Sequence, residues 1–451
     1  MSNVECPMSK VESGCRAYLA AGSIGVIMLV ALPIALGQAL PQRRHVAFPQ
    51  DRSLGTVAFR SAADATVDAW VNLGEARGTV AVPPESYVRL WIGEDAASDL
   101  SPLASLRPGD VQFIRVGPAV KIDGQVKFLA PLKELLELDF RHTDFSDEGA
   151  AALAAALAVR ALNLQETEVT DAGMAAVARI AGLATLALPT RITDEGLARL
   201  SECGTLVSLS LEGNTRITTA GLAALKPLKA LRELDLSGTS VDGLAPLSEC
   251  ASLTVLTLRG DTHLPASGLP ALTGLKELYE LDLSDTGLGD DAMPHLARMP
   301  SLRTLRLAGT QITDKSAEHF EGMRRLYELK LTGTTIGDDT VRAFSSMYAL
   351  ETLLLGGTAV TDASMGTLGE VQSLRTLSLV GTAVTDKGVA RLAGLTGLES
   401  LYLNDTAVTD EGLMSLAGVE SLKRVVVRGT KVTPAGVRAF KQKKPTCQVI
   451  R

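Results

Sequence analysis

Aromatic residues make up only 4% of the 451 residues and tryptophan occurs twice, a composition poor in the anchors of a bulky globular core. Lys+Arg number 44 against Asp+Glu 51, so the formal net charge is −7 and the chain lacks the positive field that nucleic acid would need; no nucleic-acid partner is expected. The cysteines, Cys6, Cys15, Cys203, Cys250 and Cys447, form neither a C-x-x-C pair nor a close cluster, which leaves no readable zinc knuckle or disulfide scaffold and points to free thiols. Neither G-x-x-x-x-G-K-[ST] nor G-x-G-x-x-G stands between a strand and a helix. His45, His142, His263, His295 and His319 are spread along the chain without Ser-His-Asp or metal spacing. His295 and His319 stack 24 residues apart, but two ligands complete no metal site. No catalytic, cofactor-binding or metal-binding residue is assigned, and the chain reads as non-catalytic with no cofactor.

What is present begins with a charge-free run of 24 residues from Ala17 to Leu40, closed by Arg16 on one side and by Arg43 and Arg44 on the other. Its length suits a helix crossing a hydrocarbon core of roughly 30 Å. A cleaved signal peptide competes with this reading because Gly37 and Ala39 are small, although the run exceeds the ~7–15 residues of a signal core. The organisation expected is a tail over 1–16, a transmembrane signal anchor over 17–40 in contact with the lipid bilayer, and a juxtamembrane linker over 41–58. A cap helix and degenerate repeats follow over 59–134, and the repeat array occupies 135–451. Flanking charges do not decide orientation; the usual arrangement of a signal anchor places the repeats outside the cytoplasm. Phe59 to Glu75 is expected as an amphipathic helix and Gly78 to Val82 as a strand, together closing the open end of the array.

The pattern Leu-x-x-Leu-x-Leu-x-x-Thr recurs with first positions at Leu135, Val159, Leu183, Leu206, Leu231, Leu253, Leu278, Leu302, Leu326, Leu350, Leu374, Leu398 and Leu422. Successive steps are 24, 24, 23, 25, 22, 25 and then 24 six times, so the irregular coils lie in the middle. Weaker copies at Tyr87 and Val111 keep the step of 24. Stacked coils of this kind place the leucines inside, pair the short strands in a parallel sheet, and let each coil bury the next. The recurring Thr at the ninth position can satisfy backbone groups at the turn leaving each strand. Asp171, Asp194, Asp314, Asp362, Asp386 and Asp410, each following a Thr, are expected to cap the outer helices. The final Cys447 to Ile450 reads as a half-coil closing the array, with Lys441, Lys443 and Lys444 as a solvated basic run beside it.

A unit such as Leu374-Arg-Thr-Leu-Ser-Leu-Val-Gly-Thr382 resembles the leucine-rich-repeat superfamily, whose period spans ~20–29 residues. It departs from the common pattern by carrying Thr in place of Asn at the ninth position in most coils, and Asn214 marks the one coil with the family residue. The Thr-type unit of 24 resembles repeats encoded in bacterial genomes and is similar to those of F-box receptors and ribonuclease-inhibitor-like proteins. The fold implied is an α/β solenoid with parallel strands on the concave side and helices on the convex side, preceded by one transmembrane helix.

Strand residues that do not face inward form columns across the concave side. Acidic members are Glu137, Asp139, Glu233, Asp235, Glu280, Asp282 and Glu328; toward the C-terminus the columns turn less polar. Arg306, Lys330, Leu354, Val380, Tyr402, Asn404, Val426 and Arg428 form the candidate protein-binding patch, apolar residues rimmed by charge. The function expected is a membrane-anchored protein that binds a protein ligand through this face. An intracellular substrate-recognition module, or a secreted binding protein after signal cleavage, is the alternative.

Overall fold

The computed structural model describes residues 44–62, 70–118 and 122–451. The chain divides into two compact units, Met1–Ser210 and Leu211–Arg451, and the same kind of coil recurs in both. In the coil that starts at Leu374, the side chains of Leu374, Leu377 and Leu379 are wholly buried, while Thr376 and Ser378 between them stand half-buried on the open side of the strand. Val384, Val389, Leu392 and Leu395 close the interior from the outer segment. A strand of three residues has almost no stability alone, so each coil depends on neighbours to cover its leucines.

In the first unit, Arg44–Ala47 (β1) pairs antiparallel with Thr79–Val82 (β4). Gly55–Ser61 (β2) lies between Val71–Glu75 (β3) and Ser86–Ile92 (β5), antiparallel to both. From β5 the sheet continues in parallel through Phe113–Val116 (β6), Glu137–Asp139 (β7), Ala161–Asn163 (β8), Thr185–Ala187 (β9) and Ser208–Ser210 (β10). Leu90, Ile114, Leu138, Leu162, Leu186 and Leu209 share one register, so the weak copies at Tyr87 and Val111 are genuine coils.

The second unit is parallel throughout. Its strands are Glu233–Asp235 (β11), Val255–Thr257 (β12), Glu280–Asp282 (β13), Thr304–Arg306 (β14), Glu328–Lys330 (β15), Thr352–Leu354 (β16), Thr376–Ser378 (β17), Ser400–Tyr402 (β18), Arg424–Val426 (β19) and Gln448–Ile450 (β20). β20 pairs with β19, so the final half-coil closes the sheet as its sequence indicated. Lys441 and Lys443 are exposed, but Lys444 is buried and its Nζ donates to the Glu420 carbonyl at 3.0 Å, so it is a cap residue and no solvated charge.

Three expectations near the N-terminus meet the structure differently. No helix forms in the described part of Phe59–Glu75, where β2 and β3 stand instead. β2 aligns seven residues with β5, from Gly55 against Ile92 to Ser61 against Ser86, and Val57 is wholly buried between two exposed or half-buried neighbours. Cross-strand pairing on two sides outweighs the apolar spacing that suggested a helix. The linker expected over 41–58 folds into the first unit from Arg44, whose guanidinium donates to the Gly109 carbonyl and, at 3.2 Å, to Gln112 Oε1. The run at 17–40 lies outside the described residues, among which no helix is long and apolar enough to cross a membrane.

The ladders between coils also differ in detail from the sequence reading. Thr310, Thr334, Thr358, Thr382 and Thr406 each donate Oγ1 to the carbonyl three residues back at 2.6–2.7 Å, satisfying the turn within their own coil. The aspartates act between coils. Thr385 and Thr409 cap their own helices by accepting from the Lys387 and Glu411 amides. Asp386 instead receives the Thr409 amide and hydroxyl of the next coil, both at 2.7 Å, and the Gly412 amide at 3.1 Å. The same clamp joins Asp147 to Thr170, Asp171 to Thr193, Asp290 to Thr313, Asp338 to Thr361, Asp362 to Thr385 and Asp410 to Thr433. A Cβ on Gly412 would overlap the Asp386 carboxylate, whereas in coils where Ser316 or Thr340 stands third in the outer segment the side-chain hydroxyl joins the clamp by donating to Asp290 or Asp314.

Candidate functional site

The open side of the sheet in the second unit is built by alternation along each strand. Register places Arg306, Lys330, Leu354, Ser378, Tyr402 and Val426 in a single column across β14 to β19. Val380, Asn404 and Arg428 each lie two residues beyond this column in successive coils. Stacking therefore brings the sequence-predicted patch together, but its members differ in availability.

Arg306 is committed to its own neighbours. Its Nη1 meets Glu280 Oε1 at 2.5 Å and its Nε meets Glu328 Oε1 at 2.8 Å. Burial acts to lower its pKa, but Glu280 and Glu328 outweigh that and hold it above the ordinary arginine value. Glu328 is itself buried, and its second oxygen has no partner among the described residues. Releasing Arg306 would strand both carboxylates, so this triad is a fixed floor. Val426 is also buried, at 7% exposure, and belongs to that floor. Lys330, Leu354, Val380 and Tyr402 are half-buried and Arg428 is exposed. Neither Lys330 nor Arg428 forms an ion pair among the described residues. Asn404 Oδ1 is buried without a hydrogen-bond partner there.

Beside this column runs a closed row of charge. Arg375 Nε meets Glu351 at 2.8 Å, Arg375 Nη1 meets Glu399 at 3.3 Å, and Lys423 Nζ meets Glu399 at 2.7 Å. Donation from Lys423, followed by the nearby charges of Lys423 and Arg375, holds the Glu399 carboxyl below the usual range against the effect of burial. The surface thus offers half-buried apolar side chains, the Thr352, Thr376 and Ser400 hydroxyls, two unpaired cations and a neutralised rim, a set suited to contact with a polypeptide.

A second feature, missed by sequence reasoning, lies in the first unit. Both tryptophans of the chain, Trp70 and Trp91, stand on the open side of the sheet with Tyr87 and Phe113. Arg60 lies 5.0 Å from the Trp70 and Phe113 ring centres, Arg89 lies 4.4 Å from Trp70, and Arg115 lies 4.9 Å from Trp91. Thr56, Ala58, Trp70, Asn72, Arg89 and Trp91 line a shallow depression of about 470 Å³. Two strands along from β5, on β7, burial and then Asp139 push the Glu137 carboxyl up to about 7, while Asp139 pairs with Arg141 at 2.8 Å and with Arg115 at 3.6 Å. The signal was the step of 24, which relates Arg89 to Phe113 to Glu137 and Trp91 to Arg115 to Asp139.

Elsewhere the chemistry is sparse. Cys203, Cys250 and Cys447 are free and buried, and burial raises each thiol. No group of His, Cys, Asp or Glu among the described residues is placed to hold a metal ion.

The family model described as Leucine Rich repeat matches residues 134–154, 298–320, 372–393 and 395–417. These four segments are leucine-rich repeats. A leucine-rich-repeat protein of Leptospira interrogans is similar in structure, with 18% identity, 76% of this chain and 90% of that chain covered, and a TM-score of 0.54. The TLR13–ssRNA13 complex aligns at 19% identity over 78% of this chain and 51% of that one, with a TM-score of 0.54. The mouse RP105/MD-1 complex aligns at 19% over 76% and 66%, with a TM-score of 0.53. These likenesses establish the fold. No curated protein matches the sequence.

Proposed function

We propose that this leucine-rich-repeat protein is a non-catalytic binding protein that engages a protein partner through the open side of its sheet between β15 and β19, and that residues 17–40 tether it to a membrane with the repeats outside the cytoplasm. The observation that carries the binding reading is the single register column from Lys330 to Tyr402. It sets half-buried apolar side chains between the unpaired cations Lys330 and Arg428, beside a rim whose charges are already satisfied. Such a surface loses little on desolvation and keeps two charges to orient a partner. The mouse RP105 structure, a complex with MD-1, is in keeping with a protein ligand, whereas the net charge of −7 disfavours an RNA ligand such as that of the TLR13 complex. Support for the tether is the length of the apolar run.

The test places a photo-crosslinking residue at Tyr402 or, as a control, at Tyr348, which is 72% exposed and lies between the outer turn Phe344–Ser346 and β16. Cells are then irradiated and fractionated. The expected result is one protein adduct from position 402, abolished by Lys330→Glu with Arg428→Glu, in the membrane fraction on a chain of full mass. Equal labelling at both positions overturns the surface; a soluble chain, full-length or shortened, overturns the tether.

A further inference from the structure

We infer, resting on the binding reading above, that the partner segment taken by this surface is an extended chain running across the coils from β15 to β19. It places one acidic side chain between Arg424 and Arg428, a second about six residues away at Lys330, and apolar side chains between the two. Three observations carry this. The first is charge. Lys330, Arg424 and Arg428 form no ion pair among the described residues, whereas Arg375 and Lys423 beside them are taken up by Glu351 and Glu399. In a chain of net charge −7, the β19 end thus carries two exposed, unpaired guanidiniums on either side of the buried Val426, a setting suited to a carboxylate. At the other end Glu280, Arg306 and Glu328 together keep one negative charge next to Lys330, so the carboxylate seated there gains less.

The second is spacing. Lys330 on β15 and the arginines of the β19 coil are separated by successive pairings through β16, β17 and β18. At ~4.8 Å per pairing this is roughly 19 Å, which an extended chain covers in about six residues at ~3.3 Å each. An even separation puts both acidic side chains on one face of that chain, together with the second and fourth residues after the first. Those two arrive roughly 7 and 13 Å along the strip, where Leu354 and Val380 stand at about 5 and 10 Å and Tyr402 at about 14 Å.

The third is a row of hydroxyls, and it selects the conformation. Thr352, Thr376 and Ser400 are register neighbours on β16, β17 and β18, all half-buried, and none of their hydroxyls is hydrogen-bonded among the described residues. One such hydroxyl per coil can serve the N–H and C=O groups of an extended chain, which must find new partners as they leave water. A helix bonds its main chain to itself and would cover these hydroxyls without replacing their water, at a cost.

The experiment titrates the full-length protein, in detergent at low salt, into a fluorescein-labelled peptide of about ten residues and follows its anisotropy. The peptide is threonine and serine apart from two glutamates six residues apart with valines at the second and fourth places between them; a second peptide of the same composition sets the glutamates three apart. The expected result is saturable binding of the first peptide, about tenfold weaker for the second. It should also be about tenfold weaker in Arg424→Gln with Arg428→Gln, about threefold weaker in Lys330→Gln, recovered in Arg424→Lys with Arg428→Lys, and unaltered in Lys387→Gln on an outer helix. Equal affinity for the two spacings, or indifference of the first peptide to loss of both arginines, overturns the inference. So does absence of saturable binding by either peptide while position 402 still crosslinks to a protein, in which case the binding reading stands; absence of both removes that reading and the inference with it.

Discussion

Two stretches of the second unit solve the same stacking problem unequally. From Leu278 onward, every step is 24 residues and aspartates clamp one coil to the next. Between Leu211 and Leu275 the outer segments are 3-10 turns, Gly221–Leu225, Ala245–Glu249 and Ala266–Leu272, and the steps vary. There the hydroxyl of Thr219 reaches Asp242 at 2.6 Å in place of the full clamp. The ninth position holds Asn214, wholly buried with neither amide atom partnered among the described residues, and Asp261, whose carboxyl burial pushes up. The leucine core is alike in both stretches, so the core specifies the coil and the polar ladders specify its regularity.

The largest test of this contrast pairs equivalent glycines. Gly412→Ala drives a Cβ into the Asp386 carboxylate and is expected to cost about 2 kcal/mol or more, read as a lower urea midpoint. Gly268→Ala, whose Cβ would meet Leu264 at 3.4 Å, is expected to fall within about 0.5 kcal/mol of the unsubstituted protein. Equal losses would show that the clamp does not distinguish the two stretches.

Next in size is Asp338→Ala, which strips the Thr361 amide and hydroxyl of their acceptor and is expected to cost about 2 kcal/mol at pH 7. Burial acts to raise this carboxyl, but donation from Ser364 and Thr361 outweighs it and holds it below the ordinary value. A depressed folded pKa gives stability that is present above the unfolded value near 3.9 and lost as pH falls through the folded one. The gap between Asp338→Ala and the unsubstituted protein should therefore narrow below about pH 4; a gap independent of pH would mean the carboxylate charge contributes nothing. The smallest effect is a gain. Asn214→Thr installs a hydroxyl that can donate to the Leu211 carbonyl, as Thr310 does to Leu307 at 2.6 Å, and should stabilise by about 1 kcal/mol and slow amide exchange in that coil.

The coil was legible because its leucines recur at a fixed period and each contributes to a buried column, as Leu353, Leu377 and Leu401 do. The patch from Lys330 to Tyr402 was legible for the same reason. What escaped was directional. Asp386 sits beside its own helix start in sequence, yet its carboxylate serves a threonine 23 residues on, and only the stacking reveals which coil it faces. That Arg306 is bound between two glutamates was likewise invisible until Glu280 and Glu328 were seen to flank it. Among the described residues between 59 and 75, those of β2 stand as a strand because β5 supplied a partner that local spacing cannot show.

The row Glu351, Arg375, Glu399 and Lys423 alternates in sign at each coil. Removal of the single coil that carries Arg375 would bring Glu351 beside Glu399, whereas removal of two adjacent coils preserves the alternation. Within this stretch the charge pattern therefore repeats every 48 residues, twice the 24-residue structural unit.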